Sequence, residues 1–88
     1  MSWVYRFDAR ALQELRKRGK QAQSEIIHYL DQRVARDGDP RRFGKGLRAD
    51  LAGLWRYRVG DYRILCQIRD GDLLILVVSV GHRRDVCG

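Results

Sequence analysis

Two stretches of this chain obey incompatible hydrophobic periods, and that limits the fold more than any other feature. Ala22, Ile26, Leu30 and Val34 recur every four residues, with Ile27 and Tyr29 beside them. This spacing predicts a helix over about residues 21–36 with one face turned to a core. Past residue 53 the period falls to two: Trp55, Tyr57 and Val59 alternate with Arg56 and Arg58. Successive strand residues point to opposite faces, so this is the signature of a half-buried strand. Tyr62 to Arg69 and Leu73 to Val80 read as two further strands, with tight turns at Gly60-Asp61 and Asp70-Gly71. The last is apolar on both faces, which places it centrally in a sheet.

The remaining elements complete the order. Trp3, Tyr5 and Phe7 alternate with Val4 and Arg6, a short opening strand. Asp8 can cap the helix that follows, Ala9 to Arg18, whose apolar stripe is Leu12 and Leu15. Gly19 stops it, and Asp37-Gly38-Asp39-Pro40 stops the second helix. Residues 40–53 read as a basic loop or short helical piece. The order is β-α-α-β-β-β in 88 residues. It predicts one two-layer α+β domain over residues 1–88, a helical hairpin packed on one face of a mainly antiparallel four-stranded sheet.

The formal net charge is +7 and the sequence pI about 10.1. Such an excess attracts polyanions, nucleic acid first; an anionic membrane surface or an acidic protein fits the charge equally well. Arginine dominates, and its planar fork suits bidentate contact with phosphate or carboxylate. No basic-then-apolar leader is visible, and the apolar run Leu73 to Val78 is too short to cross a bilayer. A cytoplasmic protein that does not engage a membrane is expected. Cys66 lies in an apolar run and reads as a small buried hydrophobe. The histidines and cysteines lack zinc spacing, no glycine-rich phosphate loop is present, and no Ser-His-Asp arrangement stands out. No metal and no cofactor are expected.

One constellation carries chemistry. If Gly60-Asp61 is a two-residue turn, Val59 faces Tyr62 and Arg58 faces Arg63. Paired residues share a face. Arg56, Arg58 and Arg63 then form a cationic patch opposite the core. Like charges set opposite each other weaken a sheet, so the patch suggests an anionic ligand; a merely solvated face carries equal weight on pattern alone. Arg83 and Arg84 follow the last strand and can approach the patch from its end. His82 is the best proton-transfer group by residue type.

These residues resemble the RelE/ParE superfamily of toxins from toxin–antitoxin pairs. The likeness runs through Phe7-Asp8-Ala9-Arg10-Ala11-Leu12, Gly46-Leu47-Arg48, Leu54 to Ile64 with its Arg-x-Arg and Gly-Asp-Tyr-Arg segments, and Gly81-His82-Arg83-Arg84-Asp85-Val86. It implies a type II toxin that cuts mRNA in the ribosomal A site without metal, by attack of the 2′-hydroxyl on its neighbouring phosphate, and so stops translation. By this likeness Arg56 and Arg58 contact RNA and assist the chemistry. Arg63 stabilises the phosphorane, and Arg83 assists the leaving oxygen. Lys45, Arg48 and Arg84 hold RNA. The implied partners are a RelB-like antitoxin, the ribosome and mRNA, with operator DNA reached only through the antitoxin.

The chain departs from the family pattern in two places. Some relatives carry lysines at Arg56 and Arg58, and arginine effectively cannot give up its proton. His82 is therefore the expected general base, with Asp85 second. Cys87 stands where the family usually has a tyrosine, and it cannot stack on a base. Two other readings follow: a ParE-like inhibitor of DNA gyrase, or a weakened toxin that mainly binds antitoxin and tunes repression.

Overall fold

A computed structural model of the chain describes residues 3–83. Arg84, Asp85 and Cys87 therefore lie outside the described residues.

Strand β1 (Val4–Phe7) leads directly into α1 (Ala9–Arg16). Asp8 makes the join: its carboxylate accepts from the Ala11 N–H at 2.8 Å, satisfying one of the free amides of the first turn. Ala11 and Leu15 are the buried residues of α1. The second helix, α2 (Lys20–His28), does not continue as an α-helix to residue 36. Tyr29–Ala35 forms a π-helical segment instead. Residues four apart drift steadily around an α-helix, because a turn holds only about 3.6. The wider turn takes up that drift and keeps Val34 on the face of Ile26 and Leu30, all three fully buried.

The sheet has five strands, in the order β1-β5-β4-β3-β2. β3 (Trp55–Val59), β4 (Tyr62–Arg69) and β5 (Leu74–His82) form the antiparallel centre, and β1 joins β5 in parallel. The fifth strand, β2 (Lys45–Gly46), corrects the expected count of four; the rest of residues 40–53 is loop and two short 3₁₀ helices, Pro40–Arg42 and Ala49–Leu51, as expected. A two-residue strand has no alternation to read. Its entry depends on Gly44, at φ 76°, where a Cβ would collide with the main-chain oxygen of Arg56 and crowd the rings of Trp55 and Tyr57. The turn before β5 also differs from a two-residue one. Asp70–Asp72 is a 3₁₀ turn, and Leu73 takes a left-handed conformation at φ 49°. Arg41 braces that turn through two bonds to the Asp70 carboxylate, 2.8 and 2.9 Å.

The helices cover one face of the sheet. Tyr57, Ile64, Cys66, Ile75, Val77 and Val80 meet Ile26, Leu30 and Val34 there, all fully buried. Burial pushes the Cys66 thiol pKa well up, so it is an inert core group. The Tyr57 hydroxyl donates to the Pro40 carbonyl at 2.6 Å, tying the basic segment 40–48 to the core. Among the described residues no helix is long and apolar enough to cross a membrane.

Candidate functional site

The opposite face of the sheet carries the cations. In the observed register Arg58 faces Arg63 and Val59 faces Tyr62, as a two-residue turn at Gly60-Asp61 requires. Lys45 faces Arg56, Arg56 faces Leu65, and Leu65 faces Ser79. The side chains of two adjacent rows thus present Lys45 and Arg56, then Arg58 and Arg63, on the side away from the helices. Lys45, expected by likeness to hold RNA, is set directly beside Arg56 by β2, a placement that a loop reading of this segment could not give.

Arg56 is the most constrained of these groups. It is only 7% exposed, and its Nε is buried without a hydrogen-bond acceptor. Burial, then the charges of Arg58 and Arg63, lowers its pKa. Two shallow hollows meet at Arg56. One, of about 330 Å³, is lined by Lys45, Gly46, Leu47, Arg48 and Arg56. The other, of about 400 Å³, is lined by Tyr29, Gly44, Lys45, Arg56 and Arg58. Lys45, Arg48, Arg56 and Arg58 have no carboxylate partner among the described residues, whereas Arg41 and Arg42 are paired with Asp70 and Asp37. Tyr29 supplies an aromatic ring at the rim, packed edge-on and tilted against Phe43 and Tyr57. Sequence reasoning used Tyr29 only as a flank of the helix stripe. Its juxtaposition with Lys45 depends on β2, so no local signal marked it.

The other expected site residues divide. Arg63 donates from Nη1 to the Tyr62 carbonyl at 3.2 Å and to that of Gly60 at 3.5 Å, which draws its guanidinium towards the β3–β4 turn. The Arg83 N–H donates to the Asp61 carbonyl at 2.7 Å, and its guanidinium lies 3.7 Å from the Asp61 carboxylate. Arg83 is therefore at the Arg58–Arg63 end of the sheet, held to the same turn. His82 is not part of the patch. It pairs with Tyr62, whose other partner is Val59 of the core face, and its ring meets that of Tyr62 edge-on at 5.5 Å. The side-chain alternation that brings Arg58 and Arg63 together sends His82 to the helix side. The general-base role expected for it is not supported by this placement.

Comparison with known proteins agrees with the architecture. The model for "ParE toxin of type II toxin-antitoxin system, parDE" matches residues 5–86. The toxin RelG of Mycobacterium tuberculosis is 31% identical over 86 residues, covering 98% of this chain and 97% of that protein. The crystal structure of the M. tuberculosis RelBE2 toxin–antitoxin complex contains a chain that superposes with a TM-score of 0.86 at 30% identity, covering 94% of this chain and 100% of that one. The isolated E. coli RelE toxin superposes at 0.74 with 26% identity, covering 92% and 84%. The helical hairpin, the five-stranded mixed sheet and the matched family model lead to one assignment: this chain belongs to the ParE toxin family of type II toxin–antitoxin systems, within the RelE/ParE superfamily.

Proposed function

We propose that this toxin is a metal-independent endoribonuclease that cuts mRNA in the ribosomal A site and so inhibits translation. The observation that carries the reading is the cationic surface of Lys45, Arg48, Arg56 and Arg58, without carboxylate partners among the described residues, with Arg63 in the adjoining row and Arg83 at its end. In-line attack of a 2′-hydroxyl on the adjacent phosphate, its proton passing to Asp85 as the remaining base candidate, loads negative charge onto a five-coordinate phosphorus before the 5′-oxygen departs. Preorganised cations stabilise that charge more than the ground state, each donor contributing on the order of 10²–10³ in rate. In this reading Arg56 and Arg58 grip the scissile phosphate, Arg63 stabilises the phosphorane and Arg83 assists the departing 5′-oxygen. Lys45 and Arg48 hold the flanking backbone, and Tyr29 offers a stacking surface for a base. Arg84 and Cys87 belong to the same reading by family likeness alone.

The proposed partners are the ribosome with its mRNA and a RelB-like antitoxin, through which operator DNA would be reached; the proposed location is the cytoplasm. The second reading is inhibition of DNA gyrase, favoured by the ParE description of the matched family. One experiment with two arms separates them. The purified toxin is added to programmed ribosomes and, separately, to gyrase with relaxed plasmid. Cleaved mRNA with undisturbed supercoiling supports the nuclease. Intact mRNA with blocked supercoiling transfers the protein to the gyrase branch. Activity in neither arm, with antitoxin binding retained, leaves a toxin whose remaining task is repression.

A further inference from the structure

Among the described residues, the far end of β5 has no strand on its outer edge. β1 covers β5 only from Leu74 to Val77, and the Asp8 N–H makes the last bond of that ladder, to the Val77 carbonyl at 2.9 Å. A register shift follows, between Leu65 and Cys66 on the β4 side, where Leu65 faces Ser79 and Cys66 faces Val77, so Val78 is the extra residue of a bulge. Past it, the main chain of Val80 is satisfied by side chains of the α1 region. The Val80 N–H donates to Glu14 Oε1 at 3.0 Å, and Arg18 Nη2 donates to the Val80 carbonyl at 3.2 Å. Glu14 lies in the last turn of α1, and Arg18 lies just past its C-terminal end. Neither forms an ion pair with the other; each serves the strand instead. Together they take the place of a missing strand neighbour.

Two details distinguish this clamp from ordinary packing. Arg18 leaves its Nε buried without an acceptor, a cost that a side chain chosen for stability alone would avoid. Its guanidinium also lies 5.4 Å from the centre of the Tyr62 ring, and Tyr62 is the first residue of β4, directly after the Gly60-Asp61 turn. Arg18 thus touches both strands at the end where Arg83 bonds to Asp61. The bulge at Val78 interrupts the β4–β5 register five residues before Arg83, and the clamp grips β5 at Val80, between the two.

We infer that Glu14 and Arg18 are positioning residues: they fix the end of β5 so that Arg83 stands beside Arg58 and Arg63. The inference rests on the nuclease reading for its effect on activity, but not for its effect on structure, and the two are measured separately. Amide hydrogen exchange in the isolated toxin reads the structure. Glu14→Ala should speed exchange at Val80 and Arg83 by at least tenfold and leave Tyr5 to Phe7 unchanged, and Glu14→Gln, which keeps an acceptor oxygen, should restore most of the protection. Unchanged exchange at Val80 and Arg83, or a rise spread over all of β1 and β5, overturns the inference whatever the protein's activity. Cleavage on programmed ribosomes reads the consequence. Glu14→Ala and Arg18→Met should lower kcat about tenfold with KM little changed, and should have no further effect in an Arg83→Ala background. Equal losses in both backgrounds also overturn it, since these residues would then act independently of Arg83. Absence of cleavage by the unsubstituted toxin refutes the nuclease reading and leaves the exchange result standing.

Discussion

Arg56→Met should make the protein more stable and less active. The residue is 7% exposed, its buried Nε has no acceptor among the described residues, and it stands between the cations of Lys45, Arg58 and Arg63. Replacing a buried charge by an apolar side chain of similar length is often worth about 1–4 kcal/mol. Here the side chain borders two open hollows and keeps part of its hydration, so the gain belongs at the bottom of that range, about 1 kcal/mol. In a domain of this size that raises the melting temperature by about 4–8 °C. The sign of the pH dependence follows from the lowered pKa. The folded state binds the Arg56 proton less tightly than the unfolded chain, so stability rises with pH only in the alkaline window between the two values. Between about pH 5 and 9 the guanidinium is charged in both states, and the gain from Arg56→Met should be constant. Cleavage of A-site mRNA by the same variant should fall on the order of 100-fold. Thermal unfolding followed by circular dichroism and single-turnover cleavage measure the two effects. A lower melting temperature would refute the claim that the cation is held at a cost, and undiminished cleavage would remove Arg56 from the chemistry.

Gly44→Ala should cost about 3 kcal/mol, because a methyl group at φ 76° would be driven into the Arg56 carbonyl; the variant's melting temperature checks this. Tyr57→Phe removes the 2.6 Å bond to the Pro40 carbonyl and leaves a buried acceptor unpaired, at about 1–2 kcal/mol by denaturant titration. Asp70→Asn should have a small, salt-sensitive effect at neutral pH. The hydrogen bond from Arg41 holds the Asp70 pKa down, so the pair's contribution is full above the ordinary carboxylate range and disappears as pH falls through the lowered value. Unfolding curves for Asp70→Asn and the parent chain should therefore converge in acid.

The parts of this fold legible in the sequence are those set by repeating pattern. The alternation of Trp55, Tyr57 and Val59 with Arg56 and Arg58, joined to a two-residue turn, is enough to pair Arg58 with Arg63, because side-chain direction in a sheet follows from register alone. The four-residue spacing from Ala22 to Val34 located the second helix but not its π-helical second half, since the spacing shows which residues share a face and not where the backbone widens to keep them there. β2 escaped notice because two residues make no pattern; its strand character comes from Gly44 and the close approach of Arg56. The same omission concealed the place of Lys45 and Tyr29 in the site. His82 was chosen by residue type, which carries no information about the face it occupies. Its chemistry suits proton transfer, but its parity along β5 sends it to the face of Tyr62 and Val59. The side-chain clamp at Val80 has no sequence signature, because Glu14 and Val80 are 66 residues apart.

In the proposed reaction, arginines of adjoining strands stabilise charge on one phosphodiester, and the chemical form of the cut RNA tests this most directly. Ribosomes carrying a defined message are incubated with the toxin, and the upstream fragment is examined by mass spectrometry. A single cut within the A-site codon that leaves a 2′,3′-cyclic phosphate is expected, with yield lost in Arg58→Ala and Arg63→Ala. A fragment ending in a free 3′-hydroxyl, or a cut that persists in both variants, would contradict it.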